Sequence, residues 1–157
     1  MTYNRPSDTY FENQIFTATP QRLRLMLIDG ALHYARKAAM HWEQGRAHEG
    51  GEAIVGCQRI VTELLRGLRA DIAPDLVANV AALYNFVFRA LIEAGLRRDP
   101  GKLNDAMKVL EIDRETWRQV CEQLGASLEA AQQSTSRRAP HFATQPEAAA
   151  GGFAIEA

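Results

Sequence analysis

The sequence predicts an all-α fold, an antiparallel up-down four-helix bundle, on three observations. Apolar residues recur at helical spacing in four segments, no segment sustains a period of two, and short turn signals separate the segments. A chain of 157 residues has room for one domain with a substantial core. The bundle is expected over residues 19–125, between an N-terminal arm (1–18) and a disordered C-terminal tail (126–157).

The arm is polar with scattered aromatic and aliphatic residues, Tyr3, Tyr10, Phe11, Ile15 and Phe16, which need a surface to dock on. The first helix is expected from Pro20 to Glu43. Thr19 is a good N-cap, and Pro20 suits the first helical position, where a missing N–H costs nothing. At 100° per residue, Leu23, Met26, Leu27, Gly30 and Tyr34 share one face, and Leu25, Ile28 and Leu32 fall on the other. A helix that is apolar on both sides must be covered on both sides, so a partner or a covering segment is expected there.

Gly45 and the Gly50-Gly51 pair read as punctuation, placing a loop over residues 44–50. The second helix follows from Gly51 to Ala70, with Ile54, Cys57, Val61, Leu64, Leu65 and Leu68 in one stripe. A turn at residues 71–74 ends at Pro74, which opens the third helix to Arg97. Its core stripe is Leu76, Val80, Leu83, Val87, Leu91 and Ala94, and Val77, Ala81, Tyr84, Phe88 and Ile92 widen the apolar arc to half the circumference or more. Asp99-Pro100 repeats the cap-then-proline start. The fourth helix then runs to Leu124 or Leu128 on a stripe of Leu103, Met107, Leu110, Trp117, Cys121 and Leu124, interrupted by Arg114. Beyond Gly125 the composition turns to Ala, Gln, Ser, Thr, Pro and Gly, too poor in large apolar residues to order a core.

Composition argues against several functions. The formal net charge of −1 lacks the basic footprint of a nucleic-acid binder. No uninterrupted apolar run approaches the about 20 residues that span a bilayer, so no membrane insertion is expected. The N-terminus lacks a signal-peptide core, so a cytoplasmic location is expected. Cys57 and Cys121 fall on apolar helix faces and read as reduced, buried thiols. No Glu-x-x-His pair, His-Glu-x-x-His, Walker loop or dinucleotide fingerprint is present, and His33, His41 and His48 make no ligand set. No catalytic residue, cofactor or metal is therefore expected.

The chain resembles the flagellar secretion chaperone family FliS. The likeness rests on Asn13-Gln14-Ile15, Thr17-Ala18-Thr19-Pro20 and Leu25-Met26-Leu27-Ile28-Asp29-Gly30-Ala31. It continues through Asn79-Val80-Ala81-Ala82-Leu83-Tyr84-Asn85-Phe86-Val87-Phe88-Arg89, Leu91-Ile92-Glu93-Ala94 and Trp117, covering residues 10–122 in order. The sequence departs from the family pattern at Ile28, where an aromatic is usual, in the run Leu83–Val87, and at Gly95, where an asparagine is common. The tail is not part of the pattern. The resemblance implies a cytoplasmic chaperone that binds the disordered C-terminal segment of flagellin, prevents premature polymerisation and delivers it to the export apparatus. It also implies that an arm tyrosine matching Tyr10 occupies an apolar pocket on the bundle.

The apolar excess suggests where a client helix docks. Val77, Ala81, Tyr84, Phe88 and Ile92 are expected to line one groove, and Leu25, Ile28 and Leu32 another, with Tyr10 and Ile15 covering apolar surface in the idle state. Core packing competes for Tyr84, contact with the arm alone for Phe88 and Ile92, and packing on the arm or a dimer mate for Leu25 and Leu32. The export gate is a further candidate partner, and a weak homodimer is compatible with the pattern. The alternatives are a homo-oligomeric helical regulatory or interaction module and a chaperone for a different export substrate.

Overall fold

The computed structural model describes residues 12–14, 17–71 and 73–137. Four helices carry the fold: α1 (Pro20–Glu43), α2 (Ala47–Arg66), α3 (Pro74–Arg97) and α4 (Pro100–Arg137). No strand occurs among the described residues.

The helix starts follow from local chemistry. Thr19 is extended, and its hydroxyl accepts from the Arg22 N–H at 3.2 Å, with Pro20 opening α1. Asp99 does the same for α4, its carboxylate accepting from the N–H groups of Gly101 at 2.8 Å and Lys102 at 3.3 Å. At the end of α3, Arg98 adopts the left-handed conformation (φ 50°), a position that glycine fills more cheaply.

Pair contacts fix the topology. Gly30 faces Ile60, Tyr34 faces Gly56 and Trp42 faces Gly50, so residue numbers fall along α2 as they rise along α1. Ion pairs Arg36–Glu111 and Asp29–Arg114 run the same way between α1 and α4, as Tyr84–Asp113 and Glu93–Lys102 do between α3 and α4. Each of these neighbours is therefore antiparallel, giving the expected up-down bundle. Arg114, which breaks the apolar stripe of α4, pairs with Asp29 at the α1–α4 boundary.

The core is built from Ile28, Ala31, Leu32, Ala35 and Ala38 of α1 and Ile54, Cys57, Val61 and Leu64 of α2. The remaining helices add Tyr84, Val87, Leu91 and Ala94 of α3, and Leu103, Ala106 and Leu110 of α4. Gly30 of α1 seats Ile60 of α2, and Gly50 and Gly56 of α2 seat Trp42 and Tyr34 of α1, so these two helices approach closely.

Three expectations about the elements are corrected. The loop after α1 is only residues 44–46, because Gly50 and Gly51 lie inside α2. Gly50 is there for space: a Cβ on it would lie 2.2 Å from the Trp42 indole nitrogen. Second, α4 runs on to Arg137 instead of ending at Leu124 or Leu128. Ala126, Leu128, Ala130, Ala131, Gln132 and Gln133 are good helix formers, and lengthening an existing helix needs no new nucleus. Every residue from Glu122 to Arg137 is exposed, and a division into compact units falls between Leu124 and Gly125. Third, α3 is long and apolar enough, by length and composition alone, to cross a membrane. A count of uninterrupted apolar residues misses this because Asn85, Arg89 and Glu93 break the run. In the bundle its buried face belongs to the common core.

Candidate functional site

The two-sided character of α1 is resolved within the bundle only in part, since Leu27 and Tyr34 on its second side stay exposed. Leu25, Ile28 and Leu32 are buried, continuing through Ala31, Ala35 and Ala38 as one core stripe. The opposite flank is the one that meets α2, where Gly30 lies against Ile60 and Tyr34 against Gly56. The expected groove of Leu25, Ile28 and Leu32 is thus corrected to core: the stripe is completed by alanines, whose small contribution hides it in a hydrophobicity pattern. Tyr84 is likewise core, 1% exposed. Tyr10 and Ile15 lie outside the described residues.

On α3 the structure separates two flanks. Val77, Ala81 and Phe88 are half-buried and Ile92 is exposed; they share the flank on which Gly95 approaches Ile54 of α2. The other flank, on which Glu93 pairs with Lys102 of α4, carries Leu83 (52% exposed) and Phe86 (48%), with Leu76 (63%) near the helix start. Leu76 and Leu83 were expected in the core stripe. They do point that way on the helical wheel, but the bundle leaves this half of α3 uncovered. Phe86 is the residue that the sequence reading of the groove missed, although the over-wide apolar arc of this helix was its signal. On α4, Ile112 is also exposed.

The same end of the bundle holds a partly buried polar network. Arg24 of α1 donates from Nη2 to the Tyr84 hydroxyl at 3.0 Å, and that hydroxyl donates to the Asp113 carboxylate. The guanidinium lies 5.3 Å from the Tyr84 ring centroid and 5.1 Å from that of Trp117, within cation–π range of both. Its Nη1 reaches the Leu64 carbonyl at a long 3.4 Å, and its Nε is buried with no partner among the described residues. Desolvation raises the Asp113 carboxyl above its ordinary range, against the lowering pull of Tyr84, Arg24 and Trp117. Burial, then the adjacent Asp113, pushes the Tyr84 hydroxyl well above the usual tyrosine value. Beside the network opens a cleft of about 310 Å³, lined by Pro20, Gln21, Leu23, Arg24, Leu27, Glu63, Leu64, Gly67 and Trp117. Among the described residues, no group of three or more His, Cys, Asp or Glu side chains could hold a metal ion.

A family profile described as Flagellar protein FliS matches residues 3–124. The Flagellar secretion chaperone FliS of Bacillus subtilis (strain 168) is 32% identical over 119 residues, covering 76% of this chain and 88% of that protein. The protein of the same name from Salmonella typhimurium is 30% identical over 110 residues, covering 69% and 82%. A solved structure described as a flagellar chaperone from bacteria superposes with a TM-score of 0.63 at 19% identity, covering 75% of this chain and 99% of that one, which supports the fold. The chain belongs to the FliS family of flagellar secretion chaperones, which are not enzymes.

Proposed function

We propose that this chain acts in the cytoplasm, where it binds the disordered C-terminal segment of flagellin. There it keeps the subunit from polymerising and delivers it to the flagellar export apparatus, with the export gate as a further contact. The observation that carries this reading is the uncovered flank of α3, where Leu76, Leu83 and Phe86 stand about half exposed or more on a helix whose other face is core. An amphipathic client helix covers such a surface with anchors at i, i+3, i+4 and i+7. Fully burying one large apolar side chain contributes roughly 1.5–3 kcal/mol, so three half-exposed anchors supply about half of that each. Ordering a disordered segment costs on the order of 2–5 kcal/mol, so the client must run on to further surface. The flank with Val77, Ala81, Phe88 and Ile92 is the natural continuation, and Tyr10 and Ile15 of the arm would cover apolar surface when no client is bound.

The test is to replace Leu83 and Phe86 together with Ser and titrate a flagellin C-terminal peptide by calorimetry. A loss of tenfold or more with an unchanged circular dichroism spectrum supports the reading. Unchanged affinity in a folded variant overturns the placement. A self-association of the same flank, as a weak homodimer, would appear as concentration-dependent light scattering that flagellin peptide suppresses.

A further inference from the structure

The cleft between α1 and the end of α2 contains a charge that makes no direct ion pair among the described residues, its nearest carboxylate, Asp113, being reached only through the Tyr84 hydroxyl. Arg24 is half-buried, and a buried charge is costly unless it is paired. Among the described residues no carboxylate forms an ion pair with it; Asp113 acts through the Tyr84 hydroxyl, and Glu63, the acid lining the cleft, pairs with Arg66 at 2.9 Å. Among the described residues its Nε has no partner, and Nη1 has only the long contact to the Leu64 carbonyl. Pro20 and Gln21 bring the positive end of the α1 dipole to the same cleft, and the first turn of α1 carries no acidic residue. The other walls are apolar: Leu23, Leu27, Leu64 and Trp117.

We propose that Arg24 is the anion-recognising residue of this cleft, and that its partner is a side-chain carboxylate set among apolar residues on the client segment. The inference rests on the client-binding reading above and sharpens it. Arginine matches a carboxylate with two parallel N–H donors, and a neutral carbonyl would leave the charge uncompensated. The Trp117 and Tyr84 rings lie close to the guanidinium, and with Nη2 engaged by the Tyr84 hydroxyl the weakly held Nη1 is the donor left to the incoming group. The apolar walls exclude water and strengthen the pair.

The experiment uses the full chain and the flagellin C-terminal segment of the same bacterium, amidated at its end. Each Asp or Glu of the segment is replaced in turn by its amide, and binding is measured to the wild type, Arg24→Gln and Tyr84→Phe. The expected result is one acidic position whose replacement weakens wild-type binding about tenfold, the scale of a desolvated charge pair, and has no effect on Arg24→Gln. Tyr84→Phe keeps the charge, so the coupling survives in it; if it vanishes there too, network geometry and not charge is responsible, and the proposal is overturned. All segments binding the wild type alike overturns the proposal while the client-binding reading stands. No segment binding at all overturns both. A free-acid segment that binds more tightly, by a factor that Arg24→Gln abolishes, assigns the cleft to a chain end and overturns the side-chain assignment.

Discussion

Two neighbouring glycines in α2 should respond to the same substitution with opposite signs. Replacing Gly by Ala inside a helix gains about 1 kcal/mol through backbone entropy. At Gly51 nothing lies within 4 Å of the added methyl, so Gly51→Ala should stabilise the protein by that amount. At Gly50 the methyl would sit 2.2 Å from Trp42 Nε1 and 2.3 Å from its Cδ1. Ordinary carbon contacts lie near 3.5–4.0 Å, so the indole must retreat by more than about 1 Å from a well-packed position. Overpacking of this kind costs about 1–3 kcal/mol, to which lost indole packing adds. Hydration of the indole N–H, buried without a partner, offsets a part. The net expectation for Gly50→Ala is a loss of about 1–2 kcal/mol, leaving the two variants about 2–3 kcal/mol apart. Urea unfolding followed by circular dichroism and by tryptophan fluorescence measures both. If Gly50→Ala is as stable as Gly51→Ala, the close packing of α1 on α2 through Trp42 is refuted.

Three further outcomes are expected. Burial pushes the Cys57 thiol up to about 12, and its sulfur lies 3.3 Å from the Ala31 carbonyl, so a thiol reagent at neutral pH should label Cys121 rapidly and Cys57 only on unfolding; fast labelling of both in the native protein contradicts this. Because the Asp113 carboxyl is raised in the folded state, the native protein holds that proton more tightly than the unfolded chain. Wild type should therefore gain stability relative to Asp113→Asn as pH falls through the window between the raised and the ordinary aspartate values; a pH-independent difference in urea midpoints contradicts it. Arg98→Gly should stabilise the bundle by about 0.5–1 kcal/mol, since glycine adopts the left-handed cap without strain, and a lower melting temperature would count against that.

Helix starts were legible in the sequence because their causes are local. Thr19-Pro20, Pro74 and Asp99-Pro100 each carry their own cap or fixed dihedral, and the observed starts coincide with them. The start of α2 was not legible, because a glycine that terminates a helix and one that admits a neighbouring tryptophan look alike until Trp42 is placed. The core face of α1 was misassigned for a related reason: Ala31, Ala35 and Ala38 carry the stripe, and alanine weighs little beside Leu27 or Tyr34. For Leu76 and Leu83 the wheel gave the direction correctly, but whether a neighbour covers that direction is a tertiary fact. The Arg24–Tyr84–Asp113 chain joins residues 60 and 29 positions apart on three helices, a distance over which no sequence period operates.

The close seam between α1 and α2 divides the bundle mechanically. Side chains seated on glycines, such as Tyr34 on Gly56 and Trp42 on Gly50, forfeit their packing as soon as the helices part, so this hairpin is expected to form a stiff spine, with breathing left to α3 and α4. Its amides should be the last to exchange with deuterium, and those of the early turns of α3 among the first. Because α1 and α2 are also adjacent in the chain, their contacts are local and can form while the rest is still being synthesised. The half that carries the exposed Leu76, Leu83 and Phe86 then assembles last, on a template already in place.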